Sequence, residues 1–188
     1  MVGLGLLATW GSTPEERSER YGCDDVVAEP HVVAWRAVDV AAPKALVFRW
    51  VCQLRVAPYS YDLIDNLGRR SPRRLTPGLD ALELGQRFMT VFTLVGVDPG
   101  TAITLETRHQ LLGHVACTYR VTPGEGGTSR LVVKLVAAAA SRLGAVGRVT
   151  FRVLLPGGDL VMMRRQLLTL KTLAERDART PAGNIVRA

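Results

Sequence analysis

Apolar and polar residues alternate with the two-residue period of a β-strand through most of residues 87–139. Short stretches rich in glycine and proline interrupt this alternation, whereas parallel strands would need much longer connections. The pattern therefore predicts four neighbouring antiparallel strands, at residues 87–97, 102–109, 114–122 and 129–139.

The same alternation divides the side chains of these strands between the two faces of a sheet. Arg87, Arg120 and Lys134 are charged positions, and we expect them to face water. The positions that then point inward are Phe88, Phe92, Leu94, Ile103, Leu105, Val115, Tyr119, Leu131 and Val133. They are almost all apolar, so this face is predicted to form one side of the core.

A strand and two helical segments are predicted ahead of this block. Residues 31–40 read as a strand because β-branched and aromatic residues dominate them. Pro43 then opens a helix over 42–55, since its fixed φ and missing N–H suit a first turn. Residues 59–68 favour a brief helix closed by a glycine, and residues 140–155 fit a strand or a helix.

A long helix is predicted over residues 156–178. Its apolar stripe, at three- and four-residue steps, consists of Leu160, Met163, Leu167, Leu170 and Ala174. Strands grouped in one block, with the helices set apart from them, are typical of α+β domains. We therefore expect an α+β fold in which this helix lies against the inward face of the sheet.

Two parts of the sequence resemble a known family. The strand WRAVDV runs directly into AAPKALVFRWVCQL, and GGDLVMMRRQLLTLKTLAE forms the last helix. These segments are similar to the first strand, first helix and C-terminal helix of the SRPBCC superfamily, whose START/Bet v1-like helix-grip proteins include polyketide cyclase-like members. The match covers residues 32–177, and APYSYDLIDNLGRRSPRRLTPGL resembles an actinobacterial-type subgroup.

This resemblance implies a helix-grip fold, in which a curved antiparallel sheet wraps around a long C-terminal helix with an apolar cavity between them. Members of the superfamily bind lipids, sterols, polyketides or other apolar ligands, and some are cyclases, aromatases or hydratases. The likeness is a fold-level pattern, and a fold does not by itself determine function. It therefore implies a class of ligand and carries over no catalytic residue.

Two interpretations of the inward residues remain open. They form either a fully packed core without a void, or a cavity for a small hydrophobic ligand of the lipid, polyketide or aromatic type. With the resemblance, we expect the cavity. Its ligand-binding residues would then be the nine inward strand residues, together with Leu160, Met163 and Leu167 of the long helix.

A polyketide cyclase- or aromatase-like enzyme is the alternative function, in which a few polar residues would direct proton transfer. The candidates for that role are Asp62, His109 and Tyr119. Asp62 also fits a structural role, because the arginines of residues 69–74 would keep its carboxylate ionised. His109 and His114 flank a tight connection between strands and also fit a role in the turn. The sequence therefore leaves open whether any reaction is catalysed.

Composition excludes other classes of function. The chain has 188 residues, 47% of them hydrophobic, and a net charge of +7. Its one dense basic cluster, residues 69–74, has no evident stacking platform for bases, so we expect no nucleic-acid partner. Cys23, Cys52 and Cys117 are too scattered for a disulfide framework or a metal site. The glycine-rich residues 124–127 lie between two strands, so neither a phosphate loop nor a cofactor is expected.

The length fits a single domain. We expect this domain to span residues 32–178, between an N-terminal arm at 1–31 and a flexible tail at 179–188. The first ten residues lack the positive region that precedes the core of a secretory signal, so a cytoplasmic location is expected. No membrane span is expected, and a homodimer through an exposed sheet edge or the basic cluster is a third hypothesis.

Overall fold

The computed structural model describes residues 8–60, 70–109, 113–140 and 145–180. Its strands are β1 Val32–Val40, β2 Arg87–Phe88, β3 Phe92–Asp98, β4 Ala102–His109, β5 Gly113–Pro123 and β6 Ser129–Ala138. Its α-helices are α1 Pro14–Ser18, α2 Lys44–Cys52 and α3 Ala145–Arg179. Short 3-10 helices lie at Gly22–Asp25, Gln53–Arg55 and Glu125–Gly127.

The six strands form one antiparallel sheet in the order β1-β6-β5-β4-β3-β2. The long helix α3 contacts β1 and α2, and its Leu167 belongs to the same buried cluster as Ile103, Tyr119 and Val133 of the sheet. This arrangement confirms the predicted α+β helix-grip fold, a curved sheet around a long C-terminal helix. We call the face that carries Tyr119 and Val133 the inner face, and the opposite one the outer face.

Helix α2 begins where the sequence predicts it. The Pro43 carbonyl accepts hydrogen bonds from the N–H groups of Leu46 and Val47, which starts the first turn. The buried side chains of α2 are Val47, Phe48, Trp50, Val51 and Cys52. Because α2 contacts both β5 and α3, its apolar residues join the sheet and the long helix in a single core.

The predicted strand 87–97 is divided in two, and this corrects the sequence analysis. Met89 and Thr90 have φ values of 45° and 67°, so the chain turns there and Phe88 pairs with Phe92. A left-handed turn usually carries glycine or asparagine, and neither is present. Met89 and Thr90 are not typical turn residues, so local turn chemistry does not predict the break.

Helix α3 begins at Ala145, well before the predicted start at Pro156. Glycine has a low helix propensity, so Gly147 argued against a helix in this stretch. The sequence therefore favoured a later helix start. The part of the predicted stripe formed by Met163, Leu167, Leu170 and Ala174 is buried.

Among the described residues no helix combines the length and apolar character that crossing a bilayer requires. The brief helix predicted at 59–68 falls mainly on residues 61–69, outside the described ones.

Residues of the N-terminal arm cover the outer face of the sheet. The Cys23 N–H donates to Thr118 Oγ1 over 2.8 Å, and the hydroxyls of Thr118 and Thr104 lie 3.0 Å apart. A Cβ atom at Gly22 would lie 2.4 Å from Thr104 Oγ1, so a larger residue there would displace the arm. The arm therefore forms a second layer on the sheet.

Lys134 lies under this layer and is only 8% exposed, so the expectation that it faces water is wrong. Its Nζ is 2.7 Å from Asp24 Oδ1, 5.5 Å from the centroid of the Tyr21 ring and 5.2 Å from that of Trp35. Arg120 also lies over the Tyr21 ring, at 3.9 Å. Strand alternation identifies the side chains that share a face, but it does not identify what covers that face.

Candidate functional site

The hydroxyl of Tyr119 lies at the contact between the sheet and the long helix. Tyr119 is fully buried in the middle of β5, and its hydroxyl donates to Gln166 Oε1 over 2.6 Å. The same hydroxyl is 3.5 Å from the sulfur of Met163, one turn earlier on α3. Burying a hydroxyl or an amide is costly unless the group is hydrogen-bonded. The Tyr119–Gln166 hydrogen bond therefore helps to hold α3 in its position against the inner face.

The side chain of Gln166 joins three parts of the fold. Its Nε2 donates to the carbonyl of Pro58 over 2.6 Å and lies 3.2 Å from the sulfur of Met89. Its Oε1 accepts from Tyr119. These bonds fix the orientation of the amide, because only nitrogen can donate to the Pro58 carbonyl. Gln166 thus connects α3 with β5, with the chain after α2 and with the β2–β3 turn.

Backbone strain is concentrated around this amide. Tyr59, Met89 and Thr90 are the non-glycine residues with left-handed φ among the described ones, at 55°, 45° and 67°. Tyr59 follows Pro58, and its ring packs edge-on against Trp50, with centroids 6.0 Å apart and planes at 87°. Strained residues persist only where their surroundings hold them, and they occur most often at functional sites. The contacts of Gln166 with Pro58 and Met89 help to stabilise the strained backbone at Tyr59 and Met89.

The sequence-predicted ligand residues come together in one place. Phe88, Leu94, Ile103, Leu105, Val115, Tyr119, Leu131, Val133, Met163 and Leu167 are all buried in the same apolar cluster, and Phe92 packs against it while half-buried. The side chain of Leu160 lies outside the described part of the structure. Their shared position is established, whereas their role in binding a ligand remains a prediction.

The described residues include the side chain of one of the three catalytic candidates, Tyr119. Tyr119 lies at the centre of the inner face. Asp62 belongs to the undescribed segment 61–69, and His109 is the last residue of β4, with no described side chain. His114 points to the outer face, where its Nε2 is 3.0 Å from Glu106 Oε1. The positions of the Asp62 and His109 side chains thus lie outside the described part of the structure, and the catalytic role of all three residues remains a prediction.

Sequence reasoning missed two buried polar residues, Gln166 on α3 and Arg36 on the inner face. Gln166 was overlooked because the stripe of α3 was traced through apolar residues alone. Arg36 lies on β1 opposite Val133 and is only 1% exposed. It has the same strand parity as Val32, Val38 and Val40, and that alternation was the signal that could have found it.

Other nucleophilic or metal-binding chemistry has little support in the described residues. They contain no group of three or more His, Cys, Asp or Glu side chains suited to hold a metal ion. Burial raises the pKa of the Cys52 thiol to about 12 and that of Cys23 to about 11. Both thiols are therefore protonated at neutral pH, which makes them poor nucleophiles.

No protein-family model matches the chain, and no curated protein matches its sequence. Among solved structures, the di-domain ARO/CYC StfQ from the steffimycin biosynthetic pathway is similar, with 16% identity and a TM-score of 0.52. That match covers 79% of this chain and 52% of StfQ, so the chain spans about half the length of that protein. The Zhui aromatase/cyclase from Streptomyces sp. R1128 is 18% identical with a TM-score of 0.52, over 80% of this chain and 98% of Zhui. At such low identity these likenesses show the helix-grip fold alone.

Proposed function

We propose that the protein binds a small hydrophobic molecule, of a lipid, polyketide or aromatic type, between the inner face of the sheet and α3. The observation that carries this proposal is the buried Tyr119–Gln166 pair, 2.6 Å apart, set in an otherwise largely apolar face. Ligand sites are typically apolar surfaces with a few polar groups that fix the orientation of the ligand. The strained segments at Tyr59 and Met89, next to this pair, agree with such a site.

The energetics of such a site favour an apolar body with few polar atoms. Each methylene group that leaves water contributes about 0.8 kcal/mol. A polar ligand atom needs a partner once it is buried, and the Tyr119 hydroxyl is placed to be one. In this proposal Leu131, Val133 and Leu167 supply apolar contact area. Tyr119 and Gln166 determine the orientation of the ligand.

A second candidate is a cyclase- or aromatase-like enzyme, favoured by the fixed Tyr119 hydroxyl. Ring closure by an aldol step joins an enol carbon to a ketone carbon, and a proton passes from the enol oxygen to the ketone oxygen before water leaves. A positioned O–H group can mediate that transfer. The names of StfQ and Zhui as aromatase/cyclases agree with this candidate. Asp62 and His109 remain candidates for proton transfer alongside Tyr119.

The remaining expectations belong to the same proposal. We infer one domain over residues 32–178 with an arm at 1–31 and a tail at 179–188, located in the cytoplasm. In this proposal the arm lies on the domain, and its contacts with Thr118 and Lys134 support that position. A homodimer that pairs through β1 would first have to displace Trp10, whose carbonyl accepts from the Ala37 N–H.

Native mass spectrometry with a small panel tests the proposal. The panel contains dodecanol, 2-naphthalenemethanol and a linear poly-β-ketone thioester. We expect a one-to-one complex with at least one member of the panel. Recovery of the ligand unchanged indicates binding alone. Loss of one water from the ligand indicates the enzymatic alternative. Tyr119→Phe should weaken binding about two- to tenfold, the effect of losing one hydrogen bond.

Tyr21→Phe is the matched control, because it removes the hydroxyl of a buried tyrosine from the outer face. It should leave the affinity within about twofold, less than the loss of a hydrogen bond at the site would produce. Absence of a complex with every panel member would refute the proposal. Equal effects of Tyr119→Phe and Tyr21→Phe would refute the location of the site.

A further inference from the structure

A positive charge is buried on the inner face, in the same row as Tyr119. Arg36 of β1 is opposite Val133 of β6, and Val133 is opposite Tyr119 of β5. Residues directly opposite each other in an antiparallel sheet point to the same face. Arg36, Val133 and Tyr119 therefore form one row across the sheet, with a cation at one end and a phenol at the other.

The two ends of this row are separated by a distance that a small molecule can span. Neighbouring strands lie about 4.8 Å apart, so the backbones of Arg36 and Tyr119 are separated by about 10 Å. The rows on either side are apolar, since Val38 is opposite Leu131 and Ala34 is opposite Leu135. A ligand lying along the row would have one polar contact near each end and apolar contacts between them.

The chemistry of Arg36 indicates what its end of the row recognises. A guanidinium keeps its charge at any physiological pH, and it presents five N–H donors in a planar fork that matches a carboxylate. The Nη1 of Arg36 donates over 2.7 Å to the Trp35 carbonyl, on the open-edge side of β1, so this part of the fork is already engaged by the backbone. Arg36 also takes part in a further interaction, so an incoming anion would join or exchange with contacts that already exist.

We propose that Arg36 recognises an anionic group of the ligand, so that the ligand is an amphipathic acid with an apolar body and a carboxylate. This inference rests on the proposed function, because it concerns the same inner face. It differs in content: the proposed function requires only an apolar ligand, whereas this inference requires that the ligand carry a negative charge. A carboxylate at Arg36 would direct the other end of the ligand toward Tyr119.

Two matched pairs of probes test the inference by isothermal titration calorimetry near neutral pH. The pairs are dodecanoate with dodecanol, and 2-naphthoate with 2-naphthalenemethanol. Within each pair only the charged group changes. The wild-type protein should bind the acid of at least one pair about tenfold or more tightly than the alcohol, as expected for a charge-assisted hydrogen bond.

Arg36→Met keeps the length of the side chain and removes its charge. It should abolish the preference for the acid and leave the affinity for the alcohol within about threefold, since the apolar contacts are retained. Arg120→Met, at a partly buried arginine of the outer face, is the control and should keep the preference. Arg36→Lys should keep part of the preference for the acid, because the positive charge remains but the planar guanidinium is lost.

The outcomes separate the two proposals. Equal affinity of the wild-type protein for acid and alcohol, or retention of the preference by Arg36→Met, would overturn the inference and leave the proposed function intact. Binding of no probe at all would overturn both. If Arg36→Met fails to fold, as circular dichroism would show, the comparison of acid with alcohol on the wild-type protein still decides the question.

Discussion

Replacing Trp50 by alanine is expected to lower the free energy of unfolding by about 3–5 kcal/mol, the range measured for truncating a buried tryptophan or phenylalanine. The Trp50 side chain is 0% exposed and belongs to the main core cluster. Its Nε1 donates to Asp177 Oδ2 over 3.1 Å near the end of α3, and its ring meets that of Tyr59. The substitution would therefore leave a cavity and also remove a tie between α2 and α3.

Urea denaturation followed by circular dichroism measures this effect. Trp50→Phe is the matched control, because it keeps most of the ring and removes only the N–H donor and part of the volume. We expect it to cost about 1–2 kcal/mol, the sum of one hydrogen bond and a small loss of packing. A loss below about 1 kcal/mol for Trp50→Ala would show that α2 and α3 are not joined in one core.

Asp24→Asn should destabilise the protein by about 3 kcal/mol, the lower end of the range for breaking a buried ion pair, because Asp24 keeps some contact with water. The substitution removes the negative charge 2.7 Å from Lys134 Nζ. The side chain of Lys134 is 10% exposed and that of Asp24 is 25% exposed, so the lysine would be left as a largely buried charge without its carboxylate. The arm would then pack less favourably on the outer face.

A double-mutant cycle in urea provides the test of this ion pair. In the variant that combines Asp24→Asn with Lys134→Met, no buried charge is left uncompensated, and the methionine retains contact with the rings of Tyr21 and Trp35. We expect this variant to be more stable than Asp24→Asn alone. Additive effects of the two substitutions would contradict the account of the outer layer.

The sequence predicted the inner face well because strand alternation and core burial reflect the same geometry. Once β4, β5 and β6 pair in register, residues such as Ile103, Tyr119 and Val133 must share a face. Their burial then follows from the apolar stripe of α3, which needs an apolar surface to cover. The helix-grip fold was predictable for this reason, and also from the resemblance of its first strand and last helix.

Features that depend on contacts between distant parts of the chain were not predictable in this way. The burial of Lys134 depends on Asp24 and Tyr21, which belong to a short segment without any periodic pattern. The turn at Met89 and Thr90 uses residues that seldom take left-handed φ, so local propensity gave no indication of it. Such conformations are imposed by tertiary contacts, which become visible only when the fold is known.

The polar residues of the candidate site divide in the same way. Strand alternation predicted Tyr119 as an inward residue, and its hydroxyl made it a candidate for proton transfer. Gln166 gains its role from simultaneous bonds to Tyr119 and Pro58, which no spacing in the sequence encodes. Arg36 could have been identified from the parity of β1, but a charged residue in a strand is normally assigned to water.

A small hydrophobic ligand bound between the inner face and α3 would change the surroundings of two methionine methyl groups. Met89 and Met163 lie beside the Tyr119–Gln166 pair, whereas Met162, the neighbouring residue on α3, is 42% exposed. Methionine methyl NMR spectra recorded during titration with 2-naphthalenemethanol and with dodecanol should show saturable shifts at Met89 and Met163, with smaller changes at Met162. Unchanged resonances of Met89 and Met163 throughout both titrations, or shifts confined to Met162, would contradict ligand binding at this place.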